Sequence, residues 1–189
     1  MSGINLTPSN IVKNSLQILF VFLFLSFTAL ADNSKDYKLS VLRVQFLEAS
    51  KDSKAGRDFH KLMNNYEANN PVVLAYKAVS EAIMAKHVWN PYMKMKHLQR
   101  SSEIFETAVQ LDAASPEIRF LRFTVEHYVP RYLNMSKNLE SDKAAIIAGL
   151  ERHPKSGLST DMARDIRTFM LSKDHCTEQE KQRLKRIPI

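Results

Sequence analysis

The chain has 189 residues, of which only four are glycine. Phosphate-binding loops, tight β-hairpins and dinucleotide-binding turns all need glycine, so the composition argues against a Rossmann enzyme, a P-loop NTPase and a turn-rich β-sandwich. The 27 Lys and Arg residues exceed the 20 Asp and Glu residues, which gives a net charge of +7 at pH 7. Because charges of both signs alternate along most segments, they indicate solvated helix faces and argue against nucleic-acid binding.

The first 31 residues have the pattern of a cleaved signal peptide. An unbroken apolar run covers residues 18–25, and Ala29 and Ala31 place small residues at the two positions that a signal peptidase reads. Cleavage would follow Ala31, so that Asp32 begins a single exported domain, residues 32–189, which is periplasmic or secreted. The apolar run is shorter than the ~20 residues of a membrane-spanning helix, although an uncleaved N-terminal anchor and a buried core helix remain alternatives.

Residues 32–189 show helical periodicity, and no segment keeps the period of two that a β-strand requires. We therefore predict an all-α fold of about seven or eight helices without a sheet. The expected helices cover residues 37–49, 54–68, 139–152 and 159–171, three stretches that begin at Pro71, Pro91 and Pro116, and a last stretch that begins after Thr177. Thr177 and Glu180 have the spacing of a capping box.

The three central helices carry the strongest signals. Each begins at a proline that follows a capping residue, in the pairs Asn70-Pro71, Asn90-Pro91 and Ser115-Pro116. Proline is favoured in the first helical turn, where its missing N–H is no loss, and Asn or Ser side chains cap that turn. Apolar residues then recur at steps of three and four, and the short connections predict antiparallel neighbours. Pro130 should kink or end the third of these helices near residues 127–129.

Residues 101–112 resemble the second helix of a tetratricopeptide repeat (TPR). Ser101, Phe105 and Ala108 match the small, aromatic and alanine positions of that family at spacings of four and three. The resemblance implies helical hairpins that pack side by side and bind peptides on a concave face lined by first-helix side chains.

The preceding helix, from Pro71, resembles the first helix of a repeat, with a packing face formed by Ala75, Ala78 and Ala82. An insert, residues 87–96, makes the pair of helices longer than a standard repeat, so the resemblance implies an irregular TPR-like bundle and not a regular solenoid. Residues 89–92 and 117–122 are also similar to a group of small exported bacterial proteins. That similarity implies export and a helical fold.

No catalytic or metal-binding motif occurs in the sequence. None of the six histidines stands three or four residues from another, which is the helical spacing of a zinc-ligand pair, and no H-E-x-x-H, G-x-S-x-G or S-x-x-K pattern is found. We therefore predict no catalytic residue, no metal site and no cofactor. Convergence of His87, His97 and His127 in space is a remote alternative. Cys176 has no second cysteine with which to pair, so a reactive thiol, an intermolecular disulfide and a tolerated surface cysteine all stay open.

Two groups of residues are candidates for contact with a partner. Trp89 and Tyr92 lie in the insert, and both residue types are favoured in recognition hot spots. Arg119, Arg122 and Glu126 share one face of the third central helix, where the arginines would suit carboxylates. Structural alternatives exist for both groups, since Trp89 could close the end of a helical hairpin and Arg122 could form a surface pair with Glu126.

These observations predict an exported, noncatalytic interaction or scaffold module of the cell envelope, which binds another envelope or secreted protein through a TPR-like groove. One alternative is a small exported hydrolase or metal-dependent enzyme whose residues converge only in three dimensions. A weaker alternative is contact between anionic envelope surfaces and the basic C-terminal tail, residues 181–189.

Overall fold

Eight α-helices and no β-strand make up residues 37–189, the part of the chain that the computed structural model describes. The prediction of an all-α fold is therefore confirmed for this part. The predicted signal peptide and its cleavage site at Ala31 and Asp32 lie outside the described residues. The helices are α1 (Leu39–Lys51), α2 (Ser53–Asn64), α3 (Pro71–His87), α4 (Pro91–Leu111), α5 (Pro116–Tyr128), α6 (Leu139–Glu151), α7 (Thr160–Leu171) and α8 (Glu178–Lys185), with a 3₁₀ turn at Arg131–Leu133.

Side-chain caps define where the central helices begin, as the sequence predicts. Asn70 accepts hydrogen bonds from the second and third backbone N–H groups of α3, and Asn90 does the same for α4. Ser115 caps α5, and each of these three helices begins at its proline. The capping box of α8 is also present, because Thr177 and Glu180 each bond the backbone N–H of the other. Each cap satisfies N–H groups that the first helical turn leaves without a partner.

Two helix ends test the local predictions in opposite ways. Helix α5 stops at Tyr128, so Pro130 ends it where expected. Helix α2 stops at Asn64, several residues before the predicted end. There the chain turns toward α3, and Tyr66 is held by two bonds: Lys77 Nζ donates to its carbonyl at 2.7 Å, and its hydroxyl accepts from Asn70 N at 2.9 Å. These tertiary bonds favour a turn over a further helical turn.

Helix α3 is the centre of the packing. It contacts α1, α2, α4 and α5. Its stripe of small residues allows this close approach, since Ala75 and Ala78 are fully buried. Helices that follow one another in the chain pack as pairs, α1 with α2, α3 with α4 and α5 with α6, and α8 contacts both α6 and α7. This arrangement of eight packed helices is compatible with a helical repeat-like bundle.

The core runs through all of the pairs. Its largest fully buried side chains include Tyr76 of α3, Phe105 of α4, Ile146 of α6 and Leu184 of α8. Within residues 37–189, no helix is long and apolar enough to cross a membrane.

Candidate functional site

The aromatic pair of the insert is exposed. Trp89 lies in the turn between α3 and α4 with 97% of its surface accessible, and Tyr92, in the first turn of α4, is 74% accessible. Trp89 therefore does not close the end of the hairpin. Because Asn90 caps α4 between them, the backbone that carries both rings is fixed although the rings themselves lie in solvent.

Arg119 and Arg122 are engaged inside the fold. Arg122 is buried and binds the fully buried carboxylate of Asp142 on α6 through two hydrogen bonds, Nε to Oδ2 and Nη2 to Oδ1, each of 2.7 Å. Arg119 Nη1 donates to Asp142 Oδ1 at 3.0 Å. The predicted surface pair of Arg122 with Glu126 is not formed, because the longer-range partner Asp142 takes the guanidinium.

Glu126 is also buried and bonded within the chain. Its Oε2 accepts from the Asn138 backbone N at 2.8 Å, and its Oε1 accepts from Asn138 Nδ2 at 2.7 Å. The five predicted contact residues thus divide into an exposed aromatic pair and a polar set that ties α5 to the following segment. Their roles in partner binding stay predictions.

A second buried network joins α1, α3 and α5. Arg43 binds both carboxylate oxygens of Glu117, at 2.9 and 2.6 Å, and the Tyr76 hydroxyl donates to Glu117 Oε1 at 2.8 Å. The hydrogen bond to Glu117 raises the pKa of Arg43, and burial raises the pKa of Tyr76. Arg43 therefore stays charged and Tyr76 stays neutral at neutral pH, and the network acts as a clamp between the helices.

The third buried polar cluster consists of two histidines and one glutamate: His60, Glu81 and His97. One residue comes from each of the consecutive helices α2, α3 and α4. Glu81 is fully buried, and its Oε2 lies 2.6 Å from His97 Nδ1 and 3.3 Å from His60 Nε2. One ligand-type atom from each of the three residues lies within 4.8 Å of the other two.

This cluster is charged and incompletely bonded. Burial raises the pKa of the Glu81 carboxyl, but contacts with His60 and His97 and the charge of Arg100 lower it overall to about 2, so Glu81 is ionised at neutral pH. Within residues 37–189, Glu81 Oε1 is buried without a hydrogen-bond donor, and buried His60 Nε2 has only its 3.3 Å contact with Glu81 Oε2. The guanidinium of Arg100, half exposed, approaches Glu81 Oε1 only to 3.5 Å. Two nitrogens and a carboxylate with spare acceptor capacity are a set that can hold a transition-metal ion.

Spacing alone could not find this set, because its members come from three separate helices. His97 meets His60 and Glu81, and not the His87 and His127 that the sequence offered as a remote possibility. His127 stacks instead on Phe123, at 5.6 Å between ring centroids. One signal was present, since Glu81 stands three residues after Ala78 and four before Ala85, on the small-residue stripe that faces the neighbouring helices. A carboxylate on such a stripe must be buried with partners.

Cys176 is buried beside His175 near the start of α8. Burial raises the pKa of the Cys176 thiol to about 11, which keeps it protonated at neutral pH. His175 stacks on Phe169 with 4.3 Å between ring centroids, and its Nδ1 lies 2.9 Å from the Phe169 carbonyl oxygen. A protonated, buried thiol is a poor nucleophile, which argues against a Cys–His catalytic centre at this pair.

The basic tail belongs to the fold. Leu184 and Ile187 are buried, and Arg167 donates to the carbonyl oxygens of Ile187 and Ile189 at 2.8 and 3.0 Å. Arg183 is ion-paired with Glu151 of α6. Deletion of the tail would therefore damage the core as well as remove cations.

A small cavity lies between α4 and α5. Its volume is about 20 Å³, which is room for about one water molecule. It is lined by Leu98, Ser101, Phe105, Val125, Glu126 and Met135, among others. Such a volume is far below the several hundred cubic ångströms typical of substrate pockets.

Comparison with protein-family models finds no family that matches this chain, and comparisons with curated proteins and with solved structures find no match either.

Proposed function

We propose that residues 32–189 form an exported, noncatalytic module of the cell envelope that binds another envelope or secreted protein. The observation that carries the proposal is the exposure of the single tryptophan of the chain at the turn between α3 and α4, next to the exposed Tyr92. Large aromatic side chains bury much area at a small entropic cost, which is why they are enriched at the centres of protein interfaces.

The fold supports the proposal because it leaves the aromatic pair exposed while it bonds the charged candidates within the chain. The buried arginines and carboxylates of α5 and α6 are used within the chain, so charge at those positions is not offered to a partner. The side chains of Trp89 and Tyr92, in contrast, lie in solvent. Among the predicted contacts we therefore propose Trp89 and Tyr92 as those that touch the partner, with Arg119, Arg122 and Glu126 as residues that hold the surface in shape.

The packing of the helices supports a TPR-like binding face. The first helices of successive pairs, α1, α3 and α5, contact one another in order, and the second helices α2 and α4 each contact the first helix before and after them. In repeat arrays this pattern places one helix of every pair on a shared binding face. We propose that the longer α3–α4 pair extends this face through Trp89 and Tyr92, at the turn between the two helices.

The test is site-specific crosslinking in the cells to which the sequence belongs. The full chain would carry a photoreactive amino acid at position 89 and an affinity tag. We expect one envelope or secreted protein to be recovered at position 89, and its recovery to fall when Tyr92 is also replaced by alanine.

Position 132 provides the matched control. Tyr132 is 85% exposed and lies in the 3₁₀ turn after α5, away from the α3–α4 turn in sequence. A photoreactive group there should not recover the same protein. Equal recovery from both positions, or none from either, would contradict binding of the partner at Trp89 and Tyr92.

A small exported hydrolase or metal-dependent enzyme is the second candidate. The cluster of His60, Glu81 and His97 favours it, because two histidines and one glutamate with an open fourth position are a known catalytic zinc arrangement. The three side chains are 15%, 0% and 12% exposed, so a substrate would have to reach a mostly closed site. Whether a metal binds there is the first question for this candidate.

A further inference from the structure

We propose that His60, Glu81 and His97 form a binding site for one Zn²⁺ ion that joins helices α2, α3 and α4. The proposal does not depend on partner binding at Trp89, because the two sites use different residues. Imidazole nitrogens and one carboxylate are ligands that suit zinc and its neighbours in the transition series, whereas Mg²⁺ and Ca²⁺ prefer sites made of oxygen atoms.

The strongest argument is the unused bonding capacity inside the cluster. Buried polar atoms in native proteins almost always have a partner. Here Glu81 Oε1 is buried and accepts no hydrogen bond within residues 37–189, and buried His60 Nε2 has only a 3.3 Å contact with Glu81 Oε2 that lacks hydrogen-bond geometry. A cation bound between the three residues would supply the missing partner to His60 and would balance the ionised carboxylate of Glu81.

The distances leave room for zinc after a small adjustment. Zinc bonds to nitrogen and oxygen are about 2.0–2.2 Å long, so two ligands of a tetrahedral site lie roughly 3.3–3.6 Å apart. The contact of Glu81 Oε2 with His60 Nε2 is already 3.3 Å. The contact with His97 Nδ1 is 2.6 Å, a hydrogen-bond distance. Zn²⁺ would displace the shared proton to solvent, and the two atoms would separate by about 0.7–1.0 Å to reach the spacing of zinc ligands. Water would occupy the fourth position.

Asn64 can hold His60 in the orientation that metal binding needs. Its side-chain amide lies 3.4 Å from His60 Nδ1, on the far side of the ring from Glu81. Rotation of the amide by half a turn exchanges its oxygen and nitrogen, so Asn64 can accept a hydrogen bond from Nδ1–H. With the proton kept on Nδ1, the lone pair of Nε2 points toward the metal position, which is the usual arrangement of a supported histidine ligand.

The positive charge of Arg100 opposes a cation at this site. Its Nε lies 3.5 Å from Glu81 Oε1, but its side chain is half exposed and extends from the surface of α4. It can therefore swing into solvent when a metal takes the carboxylate. The repulsion that remains makes Arg100 a way to test where the metal lies, since its removal should strengthen zinc binding.

The experiment is a zinc titration of the purified full chain after removal of metals with a chelator. We expect one equivalent of Zn²⁺ to bind and the melting temperature to rise by roughly 5–10 °C when free zinc is one hundred times its dissociation constant. Co²⁺ added in place of Zn²⁺ should give a visible absorption band from nitrogen and oxygen coordination. These readouts do not depend on any enzymatic activity.

Matched variants locate the metal. His60→Gln, His97→Gln and Glu81→Gln should each lower the zinc affinity by about 100-fold or more, because each removes one of three ligands. His153→Gln, which changes a half-buried histidine after α6, should leave the affinity unchanged. Arg100→Ala should bind zinc several-fold more tightly.

Three results would overturn the proposal. The first is the absence of stoichiometric zinc binding to the wild-type chain. The second is an equal loss of affinity in His153→Gln and in the ligand variants. The third is an unchanged affinity in Arg100→Ala, which would place the metal elsewhere. Circular dichroism of each metal-free variant shows whether it is folded. If a ligand variant does not fold, the zinc affinity of Arg100→Ala still tests the proposal.

Discussion

Glu117 and Asp142 each accept three hydrogen bonds. Among the described residues, Glu81 accepts one short hydrogen bond, from His97, and has a longer contact of 3.3 Å with His60. The partners differ as much as the number of bonds. Arginine carries a planar, permanently charged fork that matches a carboxylate, so the Glu117 and Asp142 sites are complete. Histidine presents one nitrogen at a time and can exchange its proton for a metal.

The difference separates two uses of a buried carboxylate. A site whose acceptors are filled by arginine is rigid and has no capacity for a further ligand, which fits a clamp between helices. A site with unfilled donors and acceptors contributes less to stability and retains the capacity to bind. Breaking each kind of site should therefore have effects of different size on the metal-free protein.

Loss of the Asp142 carboxylate should have the largest effect. Asp142→Ala leaves the buried guanidinium of Arg122 without its partner, and an uncompensated buried charge costs about 3–5 kcal/mol. The free energy of unfolding from urea titration, followed by circular dichroism, measures this loss. A decrease of less than about 1 kcal/mol would show that water reaches Arg122 and that the site is not closed.

Removal of one donor from the Glu117 site should have a smaller effect. Tyr76→Phe deletes the hydroxyl that donates to Glu117 Oε1 but leaves both bonds from Arg43, so we expect a loss of about 1.5–3 kcal/mol. Tyr132→Phe is the control, because its hydroxyl lies on an exposed ring and its loss should change stability by less than about 0.5 kcal/mol. Equal values for the two variants would contradict the clamp.

Neutralisation of Glu81 should cost less again when no metal is present. Glu81→Gln keeps an acceptor for His97 and replaces a buried charge by a neutral amide, so we expect a loss below about 1.5 kcal/mol in chelator. Asp142→Asn is the matched comparison and should be clearly more destabilising. If the two amide variants were equally unstable, the contrast between filled and unfilled carboxylates would be wrong.

Truncation of Trp89 should have the smallest effect on stability. Trp89→Ala removes a side chain that is almost wholly in solvent, so the free energy of unfolding should stay within about 0.5 kcal/mol of the wild type. Urea titration is again the measurement. A larger loss would mean that the indole ring packs on the fold, and it would weaken the proposed contact with a partner.

The sequence predicted what depends on neighbours along the chain. The three proline-initiated helices, the end of α5 before Pro130 and the capping box at Thr177 all appear, because caps and proline act within one helical turn. It did not predict which polar groups meet between helices. The sequence spacing suggests a surface pair of Arg122 with Glu126, four residues away, but Arg122 binds Asp142 of the next helix. The contact with Asp142 depends on how α5 and α6 rotate against each other, which local spacing does not determine.

The same limit explains the histidine cluster. The separation of His60 from His97 carries no local signal, and only the packing of α2 and α4 against α3 brings the two rings to 5.7 Å. The exposure of Trp89 could not be read from the sequence either, because a tryptophan beside a helix start fits both a buried plug and a surface contact.

The position of Trp89 also determines what intrinsic fluorescence can report on this protein. It is the single indole of the chain, and 97% of its surface is already in water in the folded state. Its emission should therefore barely change when urea unfolds the helices. A partner that covers the ring would shift the emission to shorter wavelength, so the native chain carries an unmodified optical probe that is insensitive to unfolding and sensitive to binding.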